Sequence, residues 1–169
     1  MTPLRATLGA IALLLTAAPA CAAARQADPI LRDKRLWATI NVCDTVGHPD
    51  SIGIRGSMPG DGDKGEVMFM RFGVQLFDAA DARWHNLDGA DSGFVEVGSA
   101  RKARQSGNTF TITPPRPGAA PYLLRGAVSF EWREAGQVVR HTRRATTAAH
   151  PNTAGSDPAG FTSATCTIT

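Results

Sequence analysis

Apolar and polar residues alternate along most of the chain after residue 35, which is the pattern of half-buried β-strands. The clearest run is YLLRGAVSFEWR at residues 122–133. It places five large apolar side chains on one face, Tyr122, Leu124, Val128, Phe130 and Trp132. A second run at residues 67–77 does the same with Met68, Met70, Phe72, Val74 and Leu76.

Weaker alternation predicts further short strands, and turn signals rich in Gly, Pro, Asp and Asn separate them. No segment carries a 3.6-residue apolar stripe, so no helix is predicted. Seven to nine short strands of this kind predict an all-β fold, an antiparallel Ig-like β-sandwich over residues 36–169. The weaker strands are predicted at 36–43, 51–56, 83–87, 94–97, 109–113, 137–142 and 161–168.

Two details of this pattern concern the connections. Residues 88–93, DGADSG, are predicted as a turn, and residues 145–160 as a surface loop before the last strand. The connection around Ala135-Gly136 predicts a hairpin with two alternative registers. A two-residue turn pairs Glu131 with Arg140, and a three-residue turn shifts the register by one.

The first 23 residues have the layout of a cleaved secretory signal peptide. One positive charge, Arg5, precedes an apolar run of about a dozen residues, and small residues of the A-x-A kind follow it. Residues 24–35 are polar and are predicted to be a flexible N-terminal stub. Because no later segment is apolar enough to span a bilayer, we expect a secreted, extracellular protein without a transmembrane helix.

Cysteine counting adds a covalent prediction. Cleavage after residue 22 or 23 removes Cys21 and leaves Cys43 and Cys166, which we expect to form a disulfide in an oxidising compartment. Two alternatives stay open. Cys21 could carry a lipid anchor, although Ala18 stands where a lipobox normally has Leu. Within CDTVGHPD, Cys43 and His48 could form a metal or nucleophile pair, but the second ligand pair that zinc requires is missing.

The formal net charge is small, +3 for the whole chain. Its most concentrated basic run, RHTRR, suggests a patch for an anionic ligand formed by Arg140, Arg143 and Arg144. Because the run contains no aromatic residue for stacking on bases, an envelope polymer or another secreted protein is a better partner than a nucleic acid. The alternative is that these charges only guard a sheet edge.

Carboxylates offer a weaker metal prediction. Asp61 to Glu66, DGDKGE, begins like a calcium loop but fails three of its position requirements. Loop carboxylates around the 83–87 strand could still gather around calcium. Metal binding is not our leading expectation, and its candidate ligands are Asp78, Asp81, Asp88 and Asp91.

Catalytic motifs do not stand out. Ser57 is not in a G-x-S-x-G elbow, and the four histidines follow no metal-binding spacing. No catalytic residue and no cofactor is therefore predicted, although a fold can assemble a site without a local motif. The expected function is non-catalytic, a binding or structural role at the cell envelope. A calcium- or glycan-binding sandwich and a small extracellular hydrolase are the alternatives.

Three features resemble small bacterial secreted proteins with an immunoglobulin-like or fibronectin-III-like sandwich. They are the A-x-I-x-V-C-D run at residues 38–44, the L-R-G-x-V-x-F-x-W run at residues 124–132, and Cys166 near the end of the sequence. The resemblance implies the fold and brings no activity or site residues. The chain differs from antibody domains because Cys43 and Cys166 bracket nearly the whole sandwich.

Overall fold

The computed structural model describes residues 28–169. The predicted signal peptide, Cys21 and residues 24–27 of the predicted stub lie outside the described residues. Within them the fold is all-β, with eight strands in two antiparallel sheets, which confirms the predicted fold class of a sandwich. The strands are β1 (Trp37–Thr45), β2 (His48–Met58), β3 (Glu66–Asp78), β4 (Arg83–Ser99), β5 (Arg104–Thr111), β6 (Tyr122–Glu134), β7 (Gln137–Ala145) and β8 (Cys166–Ile168).

The two sheets differ in size. The first sheet has three strands in the order β1-β2-β5. The second has the order β4-β3-β6-β7, and β8 pairs with the beginning of β6. Among residues 28–169, no helix has the length and apolar character needed to cross a membrane.

The core between the sheets contains the apolar faces that the alternation predicts. Met68, Met70 and Phe72 of β3 and Phe130 and Trp132 of β6 are at most 1% exposed. Residues that pair across neighbouring strands point to the same side of their sheet, so these side chains of β3 and β6 form one apolar face. That face packs against the buried face of β2. The indole of Trp132 donates to the Pro59 carbonyl at 3.3 Å, which satisfies its only polar atom.

The segment predicted as two strands and a turn is one continuous strand, β4. Gln75 and Gly73 of β3 pair with Asn86 and Asp91 of β4. Between these two pairs β4 advances by five residues and β3 by two, so β4 bulges. Within β4, Gly89 and Gly93 have φ values of 75° and 66°, which allow the strand to bulge. Glycine adopts that left-handed backbone without a side-chain penalty, so the turn-like sequence bends the strand instead of ending it.

The hairpin between β6 and β7 uses a two-residue turn, yet its register is shifted. Glu134 pairs with Gln137 across the turn. A bulge one step later places Arg140 opposite Trp132 and His141 opposite Glu131. The two-residue alternative is therefore right about the turn and wrong about the pairing of Glu131 with Arg140, because a bulge moves every later pair by one residue.

A disulfide joins the two sheets. Cys43 in β1 is bonded to Cys166 in β8, with a Cα–Cα distance of 5.5 Å and a sequence separation of 123 residues. The predicted pairing is confirmed, and Cys43 has no free thiol with which to form a site with His48.

Residues 146–165 contain no named strand, but backbone hydrogen bonds fasten them to β1. Thr147 donates to the Ala38 carbonyl, Asp157 donates to that of Asn41, and Ile40 and Ser163 exchange two bonds of 2.9 and 3.0 Å. This closing segment, residues 146–165, occupies the free edge of β1.

The described part of the predicted stub also touches the body of the protein. Pro29–Arg32 forms one turn of 3-10 helix, which begins where the Asp28 carboxylate accepts a hydrogen bond from the Ile30 N–H at 3.0 Å. Ile30 is 9% exposed and belongs to the core cluster.

Candidate functional site

The structure does not bring Arg140, Arg143 and Arg144 together as one patch. Arg140 and Arg144 project to one side of β7, since two-residue steps along a strand return to the same side. The Arg144 guanidinium donates to the Leu31 carbonyl at 2.8 Å. Arg143 projects to the opposite side, which is the outer face of the second sheet.

Arg140 is the centre of an ion cluster. Its guanidinium pairs with Asp28, Asp61 and Glu66, and its side chain is 20% exposed. Burial lowers the pKa of Arg140, but the hydrogen bond that it donates to Asp61 and the charges of Glu66, Asp61 and Asp28 outweigh that effect and raise the pKa. Burial raises the pKa of Glu66 despite the positive charge of Arg140. With three carboxylates around it, Arg140 holds the structure together and offers little to a ligand.

Arg143 instead belongs to a polar network on the outer face of the second sheet. The Asn86 side-chain oxygen accepts from Arg143 at 3.2 Å and from the Gln75 amide at 3.0 Å. The oxygen of that Gln75 amide accepts from Arg125 at 2.8 Å. We call these four residues, Arg143, Asn86, Gln75 and Arg125, the amide bridge, because two amide side chains connect two guanidinium groups.

Neither guanidinium of the amide bridge has a carboxylate within 4.0 Å in the part of the chain that the structure describes. The other arginines on this face do, since Arg71 pairs with Asp91 at 2.7 Å and Arg133 pairs with Glu131 at 2.6 Å. Burial lowers the pKa of Arg125, and the positive charge of Arg143 lowers it further. The charge of Arg143 also helps to lower the pKa of Asp91, which lines the neighbouring depression together with Arg71. Neither Arg125 nor Arg143 has an ion-pair partner of its own among residues 28–169, which favours an anion beside them.

A shallow depression of about 180 Å³ lies beside this network. Gly73 and Ala127 form its floor, and Ser129 and Asn86 line it together with Arg143. Because the floor residues have almost no side chain, the long Arg143 side chain can reach across the sheet to Asn86. Polar groups are thereby collected in a concave surface.

An aromatic ring lies beside Arg125, outside the lining of the depression. The Arg125 guanidinium lies 4.4 Å from the centre of the Trp84 ring, and Phe77 packs against that ring at 5.3 Å. Trp84 is half-buried and held by its neighbours, and Trp132 is in the core. Trp84 lies on the outer face of the second sheet, since it pairs with Phe77 of β3.

Two of the four candidate metal ligands lie together, and the other two lie elsewhere. Asp78 and Asp81 lie together at the β3–β4 turn with His85, close enough for their ligand atoms to share an ion. Asp91 is occupied by Arg71, and Asp88 lines a cleft of about 550 Å³ between β4 and β5. Asp78 and Asp81 each accept a backbone N–H of the turn, which accounts for their position without an ion.

The Thr147 hydroxyl lies within hydrogen-bond distance of a histidine. The Thr147 hydroxyl is 2.7 Å from His150 Nε2, and the His150 ring stacks on Trp37 at 4.5 Å. Burial lowers the pKa of His150, which keeps the imidazole neutral near pH 7. The pair sits three residues apart in the closing segment, and Thr147 also bonds the Ala38 carbonyl, so the contact fixes that segment to β1.

Sequence reasoning missed three members of the amide bridge, Gln75, Asn86 and Arg125. Alternation places Gln75 and Arg125 opposite the core, but it cannot show which outer residues face each other. Asn86 becomes their partner through the register that the β3–β4 turn sets, from Asp78 opposite Arg83 to Gln75 opposite Asn86.

No family model matches this chain, and no curated protein matches it. The site therefore has to be judged on its own chemistry.

Proposed function

We propose that this chain is an exported, disulfide-linked Ig-like module that binds an acidic polymer of the cell envelope through the outer face of its second sheet. One observation carries the proposal. The amide bridge holds two guanidinium groups, Arg125 and Arg143, without a carboxylate partner among residues 28–169, beside a concave polar surface. Charge-assisted hydrogen bonds from arginine to carboxylate are among the strong ones, and their fork geometry is specific.

Strand order supports the Ig-like assignment. Constant-type Ig domains have one sheet with strands A, B and E and another with C, F and G. The orders β1-β2-β5 and β3-β6-β7 reproduce these two triplets when the strands are lettered in turn. The remaining strand, β4, joins the second sheet beside β3 instead of the first.

Export is supported by two independent features. The first 23 residues have the layout of a signal peptide, and the Cys43–Cys166 bond is of a kind that persists in oxidising compartments. Both features support a location where acidic polysaccharides and other envelope polymers would be the protein's neighbours.

The chemistry of the surface selects a carboxylated sugar polymer. Arg125 and Arg143 supply charge, the bridging amides and Ser129 supply neutral hydrogen bonds suited to hydroxyls, and Trp84 supplies an apolar face. A long ligand can follow the amide bridge across the strands, and repeating carboxylates can reach both guanidinium groups.

The test is titration calorimetry with a soluble polyuronate, and a neutral glucan as the comparison ligand. We expect Arg143→Gln and Arg125→Gln each to weaken polyuronate binding about tenfold, the value of one charged hydrogen bond of roughly 1.5 kcal/mol. Binding should also weaken as salt is raised, because exposed charges are screened.

Arg116→Gln is the matched control, since Arg116 is an exposed arginine of the 112–121 connection and does not line the depression. It should leave the affinity unchanged. Absence of polyuronate binding, or an equal loss in Arg116→Gln, would overturn the proposed function.

A further inference from the structure

Arg55 is a charged residue that the first sheet partly buries without a partner. It lies on the outer face of β2, because Ile54 before it is fully buried in the core. Across the sheet it pairs with Thr39 of β1 and Gly107 of β5. Its side chain is thus on the opposite side of the sandwich from the amide bridge.

Two glycines leave the room that the Arg55 side chain occupies. A Cβ atom at Gly155, in the closing segment, would lie 2.6 Å from an Arg55 terminal nitrogen. A Cβ atom at Gly107 would lie 3.2 Å from Arg55 Nε and 2.6 Å from the Ile54 carbonyl. The Asn41 side chain donates to the Gly155 carbonyl at 2.6 Å and holds the closing segment over the guanidinium.

The guanidinium has no compensating group in the described ranges. Arg55 Nε is buried without a hydrogen-bond partner, and no carboxylate of residues 28–169 lies within 4.0 Å of the side chain. Burial lowers the pKa of Arg55, which records the desolvation of its charge. Arg140 differs from Arg55, because three carboxylates pair with its partly buried guanidinium. A desolvated cation without a counter-charge is costly, so it points to a ligand that supplies one.

A pocket adjoins this guanidinium. Its volume is about 230 Å³. Besides Arg55, its polar lining consists of Asn41, His48, Asn108 and Thr109. Asn108 pairs with the core-facing Ile54, so its side chain points towards the core, whereas Thr109 lies on the same side of the sheet as Arg55. The hydroxyl of Thr109 is therefore the hydrogen-bond donor suited to another oxygen of an anion. The space is too small for a folded partner and fits one small molecule or the charged end of a larger one.

We propose that this pocket is a second binding site, for a small oxyanion whose carboxylate or phosphate group pairs with Arg55. Arg55 binds the anion through its free nitrogen positions, and Thr109 hydrogen-bonds another of its oxygens. The site is independent of the amide bridge, since it lies on the other sheet and uses different residues.

The experiment is thermal unfolding of the full exported chain in a non-coordinating buffer. Three probes are added separately at millimolar concentration: inorganic phosphate, succinate and chloride. A ligand that binds only the folded state raises the melting temperature, by roughly 5–10 °C when its concentration is a hundred times Kd. We expect phosphate or succinate, and not chloride, to raise it in the natural protein, and the stronger of the two identifies the group.

Arg55→Gln should abolish that rise, and Arg55→Lys should keep only part of it because lysine cannot form the two-pronged contact. Arg116→Gln is the control and should keep the full rise, since Arg116 is exposed and lines neither binding site. If Arg55→Gln does not fold, titration calorimetry of Arg55→Lys against the natural protein gives the same comparison, with at least a tenfold loss of affinity expected.

An unchanged melting temperature with both oxyanions would overturn the inference. An equal rise in the natural protein and in Arg55→Gln would do so too, since binding would then lie elsewhere. Because polyuronate binding is measured through Arg143 and Arg125, failure of that proposal leaves this result intact, and the reverse also holds.

Discussion

Replacing Arg140 with glutamine should be far more damaging than its place on an edge strand suggests. The side chain pairs with three carboxylates, of which Glu66 is 4% exposed. Glutamine fills much of the same volume and removes the charge. The change therefore isolates what the positive charge contributes to folding.

The size of the effect follows from how deeply each partner lies. Removing one member of a buried ion pair costs about 3–5 kcal/mol, because the other charge stays buried without compensation. The Arg140 side chain is 20% exposed. The side chains of Asp28 and Asp61 are 37% and 27% exposed, so those two carboxylates can turn to water. Glu66 cannot, and we expect a loss of about 3 kcal/mol at pH 7.

The loss should depend on pH with a definite sign. Burial already raises the pKa of Glu66 above its ordinary value of 4.5, against the opposing charge of Arg140. Such a group holds its proton in the folded state where the unfolded chain releases it, so folding stability falls as pH rises through this window. Without Arg140 the pKa rises further and the fall becomes larger. The deficit of Arg140→Gln should therefore be small below pH 4.5 and grow towards neutral pH.

Urea unfolding of both proteins at pH 4 and pH 7 measures this difference. Arg143→Gln is the control on the same strand and should change stability by less than about 0.5 kcal/mol, since its side chain is exposed. A deficit below about 1 kcal/mol at pH 7, or an equal deficit at both pH values, would refute the reasoning.

Three further predictions concern stability. Cys43→Ser with Cys166→Ser should cost about 4–5 kcal/mol by chemical unfolding, because the bond closes a loop of 123 residues. Thr146→Val should cost about 1–3 kcal/mol in the same assay, since the buried hydroxyl accepts the Gly126 N–H at 3.0 Å; Thr146→Ser should restore most of it. Gly126→Ala should lower stability by about 1–3 kcal/mol, because its Cβ would lie 2.6 Å from Thr146 and 2.9 Å from Ile54; Ala127→Gly provides the neighbouring comparison.

The sandwich and its core follow from the sequence because alternation is a local property. Met70 and Phe130 are predicted to be inside from their own strands alone, and they pair directly across β3 and β6. The cysteine count predicts the disulfide for a similar reason, since it needs no knowledge of register.

The candidate sites depend on register and on contacts far apart in sequence. Asn86 reaches the amide bridge through its pairing with Gln75, which the register of the β3–β4 turn sets. Arg55 lies within the strand predicted at residues 51–56. Its burial comes from Gly155, a hundred residues later, and no local pattern predicts that approach.

The closing segment has a practical consequence for anyone who alters this protein. Its small and polar residues suggest a place to insert a tag or to expect cleavage by a protease, but its amides are engaged with Ala38, Ile40 and Asn41 of β1. Opening this segment would break its hydrogen bonds to the edge of the first sheet and would expose Arg55. Because opening is costly, the hydrogen-bonded amides of the segment should exchange slowly with deuterium. The connection at 116–120 is the better insertion point, since its residues are exposed or half-buried and Gly118 has open space around it.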